Sequence, residues 1–298
     1  MNRFIIGQFG GFDEGKYERD FRRGFYGIEA CLFKNEQDLT RLMQEAERQN
    51  FQIGVHFPMR AGRRELRDAL FLAADPAVRA EAFESVEQEL DFLTAFRPKY
   101  ILFHYPKPVI LDNRVDWRQW HFDDRREYEY ESAYALEPFK QQTETLLKWL
   151  TEKGRAYRFT PVLEFDGLNR YIYEDDFFEQ LLAKYTDIRL CLDTLRLFLQ
   201  ERIDPFFSAS RVLEKYARFA ETVHLSNVQI LDDLTIQNRR CPVLPNQNPE
   251  QGWAPIEQYL SQISRVNSSV KIVFEHRSDM VSDEELETCY QWVDKLLG

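Results

Sequence analysis

Eight short runs of apolar, β-branched and aromatic residues recur along the 298-residue chain, separated by longer amphipathic segments, at roughly 37 residues per unit. The runs are 3–8 (RFIIGQ), 26–33 (YGIEACLF), 52–57 (QIGVHF), 100–104 (YILFH), 159–165 (FTPVLEF), 188–194 (IRLCLDT), 222–227 (TVHLSN) and 270–276 (VKIVFEH). Each has the length of a buried strand, and strands that alternate with helices form a parallel sheet. The expectation is an α/β chain folded as a single (β/α)8 TIM barrel over residues 1–298. A doubly wound open sheet is the alternative, but no GxGxxG follows the first run.

Helix-like segments occupy 35–49, 76–96, 132–152, 174–184, 208–220, 255–266 and 282–297. Start signals are visible at Asp75–Pro76, at Ser208, and at Ser282 with Glu285 three residues on. The interval 13–23 is short and charged for a barrel helix. Two connections are long, 106–131 after the fourth strand and 228–254 after the seventh. Ordered loops of that length are functional lids or surface decoration.

Polar residues interrupt the apolar runs near their C-terminal ends, where barrel active sites are built. They are His56 and His104 in the third and fourth strands, Glu164 and Asp193 in the fifth and sixth, and His224 and Glu275 in the seventh and eighth. Singly, each has a structural explanation, a satisfied histidine or a helix-capping carboxylate. Together, three carboxylates converging on one mouth repel one another unless a cation or protons compensate. A divalent ion held by carboxylate and imidazole answers that need. His276 should point away from Glu275 into the helix layer, and His121 lies in a loop.

Composition narrows the partners. A net charge of −11 disfavours nucleic-acid backbones. The four cysteines, Cys31, Cys191, Cys241 and Cys289, form no CxxC pair and imply a reducing compartment. The N-terminus carries no signal-peptide apolar region, and no stretch is long enough to span a membrane, so a cytoplasmic location is expected.

The motifs VHFP (55–58), LFHYP (102–106), VLEF (162–165), LCLDT (190–194), VHLSN (223–227) and VFEH (273–276) resemble those of the xylose isomerase-like barrels. That superfamily includes sugar isomerases and epimerases and the endonuclease IV family. The resemblance covers essentially the whole chain. It implies one divalent metal (Mn, Mg, Co or Zn) held by Glu164, Asp193, His224 and Glu275, and it matches His56 and His104 to the extra histidines of endonuclease IV-like members. Two departures stand out. The D-x-x-H that follows strand six reads Asp193, Thr194, Leu195, Arg196, and the histidine-proline expected after strand seven reads Arg239, Arg240, Cys241, Pro242. Arginine is a permanent cation and cannot ligate, which argues against a three-metal centre.

The chemistry this implies is isomerisation or epimerisation of a sugar or sugar phosphate through an enediolate-like intermediate. Glu164 and Glu275 would act as base and acid beside a Lewis-acidic ion. His56, His104, Arg196, Arg240 and Lys107 are the candidate substrate-binding residues, the cationic ones for an anionic group. Basic residues also mark the opposite rim, where they are ordinary solvated charges. The alternatives are endonuclease IV-like phosphodiester hydrolysis and a non-catalytic barrel that binds sugar or metal. Homo-oligomers are common among such barrels.

Overall fold

A computed structural model describes all 298 residues. The barrel strands are β1 (Phe4–Phe9), β2 (Gly27–Cys31), β3 (Gln52–His56), β4 (Tyr100–Tyr105), β5 (Thr160–Phe165), β6 (Arg189–Asp193), β7 (Ala220–Leu225) and β8 (Lys271–Phe274). Each pairs in parallel with the next, and β8 closes on β1 with Ile5 opposite Val273. All eight runs read from the sequence are these strands, with ends shifted by at most two residues.

The inside of the barrel explains why polar groups gather at one end. Ile5, Tyr100, Leu102, Val162, Cys191 and Val273 form a separate apolar cluster that plugs the interior. Side chains alternate across a strand, so the residue two positions downstream of each plug residue also faces inward. Leu102 is followed by His104, Val162 by Glu164, Cys191 by Asp193 and Val273 by Glu275. The plug is therefore the floor of the site. Gly54 contributes by absence: a Cβ there would meet the Tyr100 ring at 2.2 Å, so only glycine lets that ring lie across the floor. Register brings the polar layer together, with His104 opposite Glu164 and Asp193 opposite His224.

The outer helices bury a much larger core against the strands. Their starts are chemically specified. Asp13, Asn35, Asp75 and Ser208 each accept a hydrogen bond from a first-turn amide, and Ser282 with Glu285 forms a complete capping box. The charged 13–23 interval does contain a helix, Glu14–Asp20. Several helices depart from the sequence reading, two of them most. The one expected over 132–152 runs Leu136–Tyr157. The other, Thr194–Ile203, was hidden because it starts directly at the end of β6 with no intervening loop. Its N-cap is Asp193.

Both long connections hold structure over the C-terminal end of the barrel. In the first, Val109–Leu111 pairs with Tyr128–Tyr130. In the second, Asn227–Ile230 and Ile236–Cys241 form an antiparallel pair. No helix is long and apolar enough to cross a membrane.

Candidate active site

Glu164 is the centre of the polar layer. Its carboxylate is 1% exposed, and His56 Nε2 and His104 Nε2 lie 3.2 and 3.1 Å from Oε2. His224 Nδ1 lies 3.3 Å from Oε1 and 3.2 Å from Oε1 of Glu275. The polar side chains read from the sequence at strands 3, 4, 5, 7 and 8 thus meet in one cluster. Burial works against the Glu164 charge, yet His224, Arg196 and His104 hold its carboxyl well below the usual range. Glu275 is also held down, with burial opposed by His224 and Arg240.

Asp193 occupies a different position within the group. Its Oδ1 accepts from the amides of Leu195 and Arg196, and its Oδ2 faces the Arg196 guanidinium at 3.5 Å. Burial, and then the charge of Glu164, raise it above an ordinary aspartate.

Three of the nearest polar atoms lack an aligned hydrogen-bond partner despite full burial. They are Glu164 Oε2 and both ring nitrogens of His224. The distances around them are short, but the angles are not those of hydrogen bonds. Orphaned buried donors and acceptors of this kind are rare and call for a partner. The donor atoms of His56, His104 and Glu164 lie within 4.8 Å of one another, as do those of His56, His224 and Glu275. Imidazole and carboxylate donors in that spacing fit a single divalent ion. Beneath His224, Glu29 Oε1 lies 3.0 Å from Nε2 and is itself fixed by the Tyr100 hydroxyl, which donates to Oε2 at 2.7 Å.

A second layer of charge was largely absent from the sequence reading. Asp68, from the loop after β3, accepts from His104 Nδ1 at 2.9 Å. Lys107 Nζ is enclosed by Asp68 (2.8 Å), Asp166 (2.9 Å) and Glu127 (3.4 Å). Arg196 bridges Asp166, Glu164 and Asp193. The carboxylates of Asp68 and Asp166 beside His104 are a second possible cation cluster. Here the ammonium of Lys107 and the guanidinium of Arg196 supply the positive charge. Asp166 could have been found from the sequence, since it lies two residues beyond Glu164 in LEFD. Glu29 carried a signal too, as a lone charge inside the apolar run YGIEACLF. Asp68, Arg67 and Glu127 lie in irregular connections and carried none.

A cavity of about 150 Å³ opens above this layer. His104, Lys107, Asp193, Arg196, Arg240 and Glu275 border it. Arg67, Arg239, Trp120 and Ser226 also line the wall, as do Asp68, Asp166 and the loop residues His121, Asp123 and Glu127. His56 lies below, in the floor. Arg60 turns outward to a two-point contact with Glu89 and takes no part. His276 faces the helix layer as alternation requires, with its ring near Phe274 and Tyr290.

The sequence matches no family model and no curated protein. Solved structures do match over nearly the full length. One is a D-tagatose 3-epimerase-like protein, 13% identical, covering 98% of this chain and 99% of that one with a TM-score of 0.61. The apo form of a 3-keto-D-glucoside 4-epimerase from E. coli is 12% identical, with coverage of 98% and 99% and a TM-score of 0.58. The IolI protein with a bound zinc atom is 11% identical, with coverage of 99% and 98% and a TM-score of 0.59. The fold is the (β/α)8 barrel of these structures. Identity this low carries the fold and leaves the chemistry to be argued from the site.

Proposed function

We propose that the protein is a divalent metal-dependent isomerase or epimerase of a small polyhydroxylated carbonyl compound. The observation that carries this reading is the cluster in which His224 Nδ1 faces Glu164 and Glu275 at 3.3 and 3.2 Å, beneath a polar cavity at the C-terminal mouth of the barrel. Glu164, His224 and Glu275 would hold the ion, and Asp193 would join through Oδ2, the oxygen not engaged in capping. A bound ion supplies Lewis acidity toward an oxygen next to the reacting carbon.

The residues supply the proton transfer. Glu164, ionised and buried, removes a proton from the carbon beside the carbonyl, leaving an enediolate-like anion. Glu164 can give that proton back itself, or Glu275, whose side chain is 20% exposed at the cavity, can take one from solvent and deliver it from the other side while Glu164 releases its own to solvent. Return to the opposite face of the same carbon inverts it, and return to the neighbouring carbon moves the carbonyl. His104, held by Asp68 through Nδ1, directs Nε2 at Glu164 Oε2 and so positions the base. The similar fold of a 3-keto-D-glucoside 4-epimerase supports this reading.

Phosphodiester hydrolysis fits less well. Two-metal chemistry needs a second ion, and Lys107 and Arg196 already neutralise the carboxylates that would bind it.

The test is solvent exchange. Protein loaded with Mn²⁺ and incubated with a panel of ketoses, aldoses and their phosphates in D₂O should wash deuterium into the carbon beside the carbonyl of at least one of them. Glu164→Gln and Glu275→Gln should each abolish it. Elemental analysis should give about one divalent metal per chain, as one closed ligand set requires. Metal-loaded protein that exchanges no proton and cleaves an abasic-site oligonucleotide would overturn the proposal.

A further inference from the structure

The cations around the cavity fall into two groups. Lys107 and Arg196 are committed to carboxylates and have no charge left to offer. Arg67, Arg239 and Arg240 border the same cavity, and none has a carboxylate within 4.0 Å. Arg67 is directed inward, with one terminal nitrogen 3.4 Å from His56 Nε2 and 3.6 Å from Cys31 Sγ. Its Nε is buried with no partner at all. Arg239 and Arg240 come from the strand Ile236–Cys241 in the loop after β7, and their guanidiniums hydrogen-bond to nothing in the chain. Arg240 also holds a left-handed backbone, φ 56°, a conformation that costs a non-glycine residue energy and recurs at ligand-contacting positions. Asp193 and Glu275 line the same cavity, yet none of the three guanidiniums is paired with a carboxylate, so their donors are free for an anionic group.

We propose that Arg67, Arg239 and Arg240 form an oxyanion subsite, so that the substrate is an anionic sugar derivative, carrying either a carboxylate or a phosphate. This rests on the function proposed above and names the substrate class for that site. It also moves the anion-binding role away from Arg196 and Lys107. The guanidinium fork suits both groups, since each offers two coplanar oxygens. Arg67 fixes the inner end of the subsite through His56, which in turn lies against Glu164. The anion therefore sits one side chain away from the base, which would set the reacting carbon a fixed distance from the charged terminus.

Binding measured by calorimetry on the Mn²⁺-loaded protein tests this without requiring turnover. The probes are D-fructose, D-fructose 6-phosphate and D-glucuronate. At least one anionic probe should bind about tenfold or more tightly than D-fructose, the factor that about 1.4 kcal/mol sets. Preference for the phosphate or for the carboxylate identifies which of the two the subsite takes. Arg239→Ala/Arg240→Ala should remove that preference, bringing the anionic probes down to the affinity of D-fructose. Both side chains are exposed and bond to nothing, so the variant keeps its fold, checked by its melting temperature. Lys99→Ala, on the opposite face, should alter neither. Equal binding of all three probes, or an anion preference that survives the double variant, overturns the inference. Isomerisation of a neutral ketose with no anion preference would sink the subsite and leave the proposed function standing. Anion binding without proton exchange on any probe would do the reverse.

Discussion

Arg196 faces Asp193, the residue that caps its own helix: the guanidinium Nε lies 3.5 Å from Oδ2, while Oδ1 accepts the helix's first amides. The arginine stands at the last position of the Asp193–Thr194–Leu195–Arg196 stretch, where the D-x-x-H pattern has its histidine. It changes the charge of the mouth from a ligand-rich site to one with a cation already built in.

Replacing Arg196 by methionine keeps the stem and removes that cation. Glu164, Asp166 and Asp193 then face one another without compensation. Breaking a largely buried pair in this way costs about 3 kcal/mol. The Arg196→Met protein should melt lower than the parent without metal, and Mn²⁺ should raise its melting temperature by more than it raises the parent's. Equal melting temperatures in metal-free protein would show that these contacts contribute nothing.

Glu29 acts from below the metal candidates, with Oε1 3.0 Å from His224 Nε2 and Oε2 held by Tyr100. Such outer partners orient an imidazole ligand and raise its basicity, and their loss costs roughly 10–100-fold in metal affinity. Glu29→Gln should weaken Mn²⁺ or Zn²⁺ binding by that factor, read by competition with a chromophoric chelator. Unchanged affinity would assign Glu29 to the barrel floor alone.

What the sequence made legible follows from periodicity. A buried parallel strand has to be apolar, so Leu102-Phe103-His104 or Val162-Leu163-Glu164 announces both the strand and the inward polar residue at its end. Alternation then places the polar layer two residues above the plug. Loops have no such period. Asp68 and Arg67 lie in the irregular stretch between β3 and the helix Pro76–Leu93, and nothing in their neighbours fixes where they point. Their charges decide the role of Lys107. From sequence it reads as a free cation past β4, but Asp68, Asp166 and Glu127 enclose it. The helix Thr194–Ile203 was missed for a related reason: strand and helix share Asp193, which leaves no break to mark the boundary.

Lys107 is 3% exposed, and its carboxylate partners are 3–7% exposed. Lys107→Met would strand three acidic groups in the wall, a loss of about 3–5 kcal/mol for a buried pair broken on one side. Urea denaturation should show a lower midpoint with an unchanged slope. A midpoint equal to the parent's would mean that the carboxylates take up protons or solvent at no cost.

Asp68 gives the stability of the site its acid limb. Burial alone would raise its carboxyl, but His104 and Lys107 hold it well below its ordinary value of 3.8. A carboxyl whose folded value is depressed binds fewer protons folded than unfolded, so its stabilisation is fully present above about pH 4 and is lost as pH falls below that. Asp68→Asn should therefore destabilise the protein most at pH 7. The difference in unfolding free energy from the parent should narrow as pH is lowered from 5 to 3, measured by urea titration at each pH. A gap that stays constant across that range would place the stabilisation in the shape of the side chain and take it away from the charge.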